Sequence, residues 1–245
     1  MPDTGCLRLS VWSGPRNVST ALMYSFRERP DTRVLDEPLY GHYLTVTDAD
    51  HPGAHEVMEA MDNDGERVVR EVILGRCEKP VLFLKNMAHH LAGLDRAFLR
   101  EITNVLLTRD PREMLPSLLH QLPSPTLRDT GLREQVEILE AALASGNPPV
   151  VLDARELLLD PRGVLGRACE RLGIPFDEAM LRWPAGPKPE DGIWARHWYR
   201  NVHASTGFGR YSPKPEPFPE RLEPLLRECL PLYEELRRHA ITAGA

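Results

Sequence analysis

Continuous apolar runs alternate along the chain with stretches of helical periodicity. Cys6-Leu7-Arg8-Leu9-Ser10-Val11-Trp12 alternates and predicts a first strand, broken at Ser13-Gly14-Pro15. From Ser19 the apolar positions Ala21, Leu22, Tyr24 and Phe26 fall at helical spacing, ending before Pro30. Further strands are predicted at Arg33–Asp36, Val81–Leu84, Asn104–Thr108 and Val150–Leu152. Helices are predicted after Pro111, over 131–144 and from Pro161 to Leu172. Residues 46–56, rich in Asp, His, Gly and Pro, predict a loop. The stretch 184–218 is rich in Pro, Gly and aromatics and predicts a long ordered loop, of the kind that covers active sites. A final amphipathic helix is expected over 219–239.

Strands that are solidly apolar and alternate with helices belong in a parallel sheet covered on both faces. The expected fold class is therefore α/β, with three layers. A single domain spanning 1–245 is expected, with no internal repeat.

Composition narrows the function. Hydrophobic residues make up 42% and charged residues 27%, as in ordinary globular proteins. The formal charge of −6 argues against nucleic acid as a partner, yet leaves room for one anionic ligand held by a few arginines. No apolar run approaches the ~20 residues of a membrane-spanning helix, so no membrane partner is expected. Met1-Pro2-Asp3-Thr4 carries no basic region of a signal peptide. Cys6, Cys77, Cys169 and Cys229 lie far apart with no CxxC, which suits a reducing cytoplasm and argues against zinc. The basic residues are nearly all Arg; the lysines are Lys79, Lys85, Lys188 and Lys214.

Four segments carry candidate chemistry. Ser13-Gly14-Pro15-Arg16-Asn17-Val18-Ser19-Thr20 links a strand to a helix. Backbone N–H groups there, with Arg16 and the hydroxyls of Ser19 and Thr20, would cradle a phosphate. A plain turn with Ser as N-cap fits the same pattern. Thr108-Arg109-Asp110-Pro111-Arg112 also enters a helix, and Ser117 stands two turns beyond Arg109. Guanidinium and hydroxyl could share one phosphate, or the segment could merely cap a helix. Lys85 ends an apolar strand, where open α/β sheets bind ligands. Asp36-Glu37-Pro38 ends another; a carboxylate there could serve as a general base or mark a turn. His89 and His90 follow Lys85 and rank below Glu37, as do His51 and His55. Trp194, His197, Trp198 and Tyr199 could line an acceptor pocket or pack a loop.

In combination these segments resemble the P-loop sulfotransferases that use PAPS, 3'-phosphoadenosine 5'-phosphosulfate. The resemblance runs from Leu9 to about Leu236. Gly14 to Leu22 resembles the family's 5'-phosphosulfate loop, P-[KR]-S-G-[ST]-T, and Arg109 with Ser117 its 3'-phosphate motif. Val151 to Pro161 is similar to the family's Y-E-D-L-L-x-D-P segment, continued by Leu172-Gly173-Ile174-Pro175-Phe176. The N-terminal third is most similar to the tyrosylprotein branch and its bacterial relatives, in the register Arg16, Pro30-Asp31, Glu37. Met87 stands where the small-molecule branch has its basic histidine.

The resemblance implies a three-layer P-loop fold and a transferase with PAPS as donor, PAP as product and no metal. It implies Glu37 as base, with His89 or His90 as fallback, and Lys85 and Arg16 to balance charge on the leaving oxygen. Gly14, Pro15, Arg16, Asn17, Val18, Ser19 and Thr20 would hold the 5' side, Arg109 and Ser117 the 3'-phosphate. Ser205 falls where the family closes a late loop over the nucleotide. Two features depart from the pattern. Asn17-Val18 replaces the usual Ser-Gly, and Val18 is poorly suited to the positive φ open to Gly. The acceptor loops match nothing, leaving a sugar, alcohol, phenol or amine as the small-molecule partner. Monomer and homodimer are both open. Rival readings are a P-loop kinase, against which the absent GK[ST] counts, and a non-catalytic nucleotide-binding protein of the same fold.

Overall fold

The computed structural model describes residues 5–47, 49–213 and 216–244. The N-terminal segment Met1–Thr4 and Lys214, both weighed above, lie outside the described residues.

Six strands form one sheet: β1 (Leu7–Ser13), β2 (Thr32–Asp36), β3 (Val81–Met87), β4 (Thr103–Thr108), β5 (Val150–Asp153) and the two-residue β6 (Ala240–Ile241). Their order is β2-β3-β1-β4-β5-β6, every pair parallel. The fold is α/β with helices on both faces, as the apolar strand runs require. Leu9, Val11, Phe83, Val105 and Leu107 point to one face. There they pack against α1 (Ser19–Arg27) through Leu22 and Phe26. Trp12, Leu82, Leu84 and Leu106 serve the opposite core. That side is covered by α4 (Pro111–Leu118), α5 (Leu132–Ala144) and α7 (Glu223–Arg238). Trp12 is fully buried, with Nε1 donating to Asn104 Oδ1 at 2.9 Å, so its polar tip is satisfied where its ring is not wetted. Burying one such side chain stabilises the fold by about 1.5–3 kcal/mol.

Most predicted elements lie close to these bounds; β3 runs three residues past its predicted end, Gly65–Ile73 is helical without having been predicted, and further segments differ. The stretch 46–56 is not one loop. α2 (Tyr40–Thr47) ends inside it and α3 (Ala54–Ala60) starts inside it, at a left-handed Gly53 (φ 76°). Pro38, just after an acidic pair, hid the start of α2. Among the described residues of the predicted 184–218 loop, Ala195–Trp198 and Arg200–His203 each make one helical turn. Helix α6 (Pro161–Arg171) matches its prediction, α7 starts four residues later than predicted, after a 3-10 turn at Glu220–Leu222, and β6 was not foreseen because two residues give no periodicity.

The cysteine reading needs correction. Cys6 and Cys77 form a disulfide, with Cα atoms 6.1 Å apart across 71 residues of sequence. β1 and β3 are parallel neighbours with Leu7 opposite Val81, so the segments entering them run side by side. Sequence separation therefore says nothing about distance there. A disulfide belongs to oxidising surroundings, so the cysteines no longer argue for a reducing cytoplasm. Cys169 and Cys229 are buried thiols. Among the described residues no helix is long and apolar enough to cross a membrane.

Strand order fixes where chemistry can occur. From β1 the chain crosses to β2 on one side and later returns to β4 on the other. That reversal opens a crevice beyond the carboxyl ends of the strands. Gly14, Glu37, Lys85 and Arg109 all lie at those ends.

Candidate active site

The β1–α1 loop is shaped by close packing and one strained residue. A Cβ on Gly14 would lie 2.5 Å from the Thr130 carbonyl oxygen, so only glycine lets the loop pass beneath that backbone. Gly14→Ala is expected to destabilise the protein by about 1–3 kcal/mol through forced displacement, visible as a lower urea midpoint with an unchanged m-value. Positive φ is required not at Val18 (φ −92°) but at Arg16 (φ 53°). A left-handed non-glycine residue costs about 1–2 kcal/mol. Its neighbours hold it there. Arg109 Nη1 donates to the Arg16 carbonyl at 2.6 Å. Asn17 Nδ2 donates to Leu107 O at 2.9 Å, while its Oδ1 accepts the Val18 N–H at 2.8 Å. The Asn17-Val18 variant is thus a built turn, tied by Asn17 to the end of β4. Helix α1 has Val18, not Ser19, at its N-cap position, with no side-chain cap, and Ser19 is the first helical residue. The first-turn N–H groups of α1 have no intrahelical partners and sit at the positive end of its dipole.

Beside the loop stand the second guanidinium and its hydroxyl. Asp110 caps α4 by accepting the Arg112 N–H at 2.8 Å, and Pro111 opens it. Arg109 and Ser117 face the same space. Ser117 Oγ accepts from Arg16 Nε at 3.0 Å, and Arg109 Nη2 pairs with Glu113 at 3.2 Å. Arg109 Nε is buried and has no hydrogen-bond partner among the described residues. Burial, then the neighbouring Arg109 cation, lowers the pKa of Arg16. Both guanidiniums line the same cavity.

Across the crevice lies a buried ion cluster. Lys85, 1% exposed, donates to Asp36 Oδ1 at 2.9 Å, to Tyr199 OH at 2.6 Å and to Glu37 Oε1. All three ammonium protons are therefore engaged. The Tyr199 hydroxyl in turn sits 2.8 Å from both Asp36 oxygens and accepts from Trp194 Nε1 at 3.2 Å. Asp36 Oδ2 also accepts the Gly192 N–H at 3.0 Å. Asp36 thus joins the lysine to the 192–199 segment. Glu37 is left-handed (φ 45°), and its N–H donates to Lys85 O at 2.7 Å. Burial lowers the pKa of Lys85, but Asp36 and Glu37 outweigh it and the net direction is up. Burial raises the pKa of Glu37; Lys85 opposes this and Asp36 adds to it.

The histidines separate. His90 Nε2 lies 3.8 Å from Glu37 Oε2. Burial drives His90 well below its ordinary pKa and His89 to about 3. A ring that resists protonation this strongly is a poor acceptor of a proton. His55 is exposed beside Glu59, and His197 is exposed beside Arg196, both away from the crevice.

These elements enclose one cavity of about 530 Å³. The residues assigned from the resemblance line it: Gly14 through Thr20, Glu37, Lys85, Arg109, Ser117 and Ser205; His197 does not. Ser205 is held by Trp183 Nε1 at 3.0 Å and donates to Val202 O at 2.7 Å. His51, His89, His90, Trp194, Trp198 and Tyr199 also line it. Tyr40 does too and was missed. The Tyr40–Tyr43–Leu44 spacing after Pro38 was the available signal. Asp36 was noted only as half of an acidic pair; its grip on Lys85 and Tyr199 is a tertiary fact.

A family model described as a sulfotransferase domain matches residues 7–240. Two Arabidopsis thaliana proteins, branched-chain-amino-acid aminotransferase-like proteins 2 and 1, are each 43% identical to this chain. The matches cover 94% and 93% of it, but the chain spans only 41% of the length of either relative. Among solved structures, the sulfotransferase domain of the Synechococcus PCC 7002 olefin synthase superposes with a TM-score of 0.56 at 17% identity, covering 96% of this chain and 97% of that one. A sulfotransferase from Alicyclobacillus acidocaldarius gives 0.54 at 11%, with the same coverage. At these identities the likeness is one of fold.

Proposed function

From the premise that this chain belongs to the sulfotransferase domain family, we propose that it transfers a sulfuryl group from PAPS to a hydroxyl or amine acceptor, with Glu37 as general base. The observation that carries the reading is that one cavity joins the paired guanidiniums of Arg16 and Arg109 to the Glu37–Lys85 pair. The first-turn N–H groups of α1, with Ser19 and Thr20, would hold the 5'-phosphate. Arg109 and Ser117 would take the 3'-phosphate, the group that separates PAPS from ATP. Ser205 would close the far side.

Sulfuryl transfer, like phosphoryl transfer, asks the protein mainly to position and neutralise. Glu37 takes the acceptor proton as the new S–O bond forms. The bond from sulfur to the bridging oxygen breaks, and its electron pair leaves with PAP. Arg16 and Lys85 offset the charge growing on that oxygen. Lys85 can do so only by exchanging one of its three present acceptors, since an ammonium has three protons.

The direct test is calorimetric titration with PAP beside 5'-AMP and ATP with magnesium. PAP is expected to bind tightest. Equal binding of PAP and 5'-AMP, or preference for ATP with magnesium, would overturn the reading and favour a phosphotransferase.

A further inference from the structure

The cavity changes character past Glu37. Its loop end is cationic, with Arg16 and Arg109. Its other end is walled by Tyr40, His51, Met87, His90, Trp194 and Trp198. These rings are locked against each other. Tyr40 lies parallel to His90 with centroids 5.0 Å apart, and meets Trp194 edge-on at 5.2 Å. Its hydroxyl is bound to His51 Nδ1 at 2.9 Å, and His51 meets Trp198 at 6.1 Å.

This wall carries no charge near neutrality, because burial lowers the pKa of both His51 and His90. Glu37, the carboxylate that lines the cavity, is engaged by Lys85. A cationic acceptor would shed water here against a lining whose carboxylate is already paired. A sugar would bring several hydroxyls to a wall whose Tyr40 hydroxyl is already taken by His51 Nδ1 and which otherwise offers mainly ring faces. A flat ring, by contrast, packs offset or edge-on against such faces.

We propose that this half of the cavity is the acceptor chamber, that it takes a small uncharged compound bearing a hydroxyl on or beside a ring, and that Tyr40 and Trp198 set this preference. The proposal rests on the sulfotransferase reading for the role of the hydroxyl, which would face Glu37. It does not rest on that reading for the binding itself.

The test is calorimetric titration of 2-naphthol, N-acetylglucosamine, tyramine and an acidic tyrosine peptide into the free and the PAP-saturated protein. Expected is 2-naphthol binding at least about tenfold tighter than the other three, a difference of about 1.4 kcal/mol. Trp198→Ala should weaken it about tenfold without changing PAP affinity. Trp198 is half-buried on a one-turn helix, so this variant is expected to fold. Tyr40→Phe keeps the ring and should retain most of the affinity. Naphthol binding no better than sugar, amine or peptide would overturn the chamber, as would indifference to Trp198→Ala. Failure of PAP to bind, with naphthol still bound by the free protein, would instead sink the sulfotransferase reading and leave the chamber standing.

Discussion

Replacing Glu37 with glutamine is expected to lower kcat by about 10²–10⁴-fold while leaving PAP affinity unchanged. Glutamine keeps the shape of the side chain and can still accept from Lys85, but it cannot take a proton. The backbone at Glu37 is held left-handed by its bond to Lys85 O, so the amide should sit where the carboxylate did. The pH profile sharpens the test. The base must be ionised, so kcat/KM rises with pH through the Glu37 pKa. Burial places that pKa above the ordinary glutamate value, so the acid limb lies above the usual carboxylate range. The groups facing Glu37 are Lys85, Asp36, His90, Tyr199 and Tyr40. Asp36→Asn removes a negative charge that raises the pKa, so the limb should move to lower pH. Lys85→Met removes the cation that lowers it, so the limb should move up. Wild-type turnover in Glu37→Gln, measured as PAP release from PAPS with acceptor present, would show the base to be elsewhere.

How much of this was legible in the sequence depends on the range of the interaction that fixes each feature. Strands and the main helices were legible because periodicity is local. The loop at Gly14–Thr20 and the Arg109–Ser117 spacing were legible because each motif lies on one strand–helix junction. Three features were not. Arg16 carries the positive φ because Arg109 and the end of β4 grip the turn, and both come from about ninety residues away. The Cys6–Cys77 bond follows from strand order, which apolar runs do not encode. Tyr199 reaches Asp36 across 163 residues, so its place beside Lys85 depends on how the 184–209 segment folds back over the sheet edge. The candidate residues were thus readable by type, and their mutual engagement was not. Lys85 shows the difference: a strand-end lysine in sequence, it is in the structure a buried cation with every proton committed.

Arg109→Ala carries the second large effect. Hydrogen bonds to charged groups contribute about 1.5–3 kcal/mol, so loss of the 3'-phosphate fork should weaken PAP by about 10–150-fold. The affinity for 5'-AMP, which has no 3'-phosphate, should barely change. The ratio of the two affinities is the decisive quantity, because Arg109 has a second job. Its Nη1 holds the Arg16 carbonyl, so the substitution also loosens the strained turn. If the turn were the whole effect, PAP and 5'-AMP would weaken together and the ratio would stand. If Arg109 meets the 3'-phosphate, the ratio falls toward one. Arg109→Lys separates the two further. A lysine restores charge without the planar fork, so it should recover part of the PAP affinity in a salt-dependent way, while the gap to wild type measures what the fork geometry contributes.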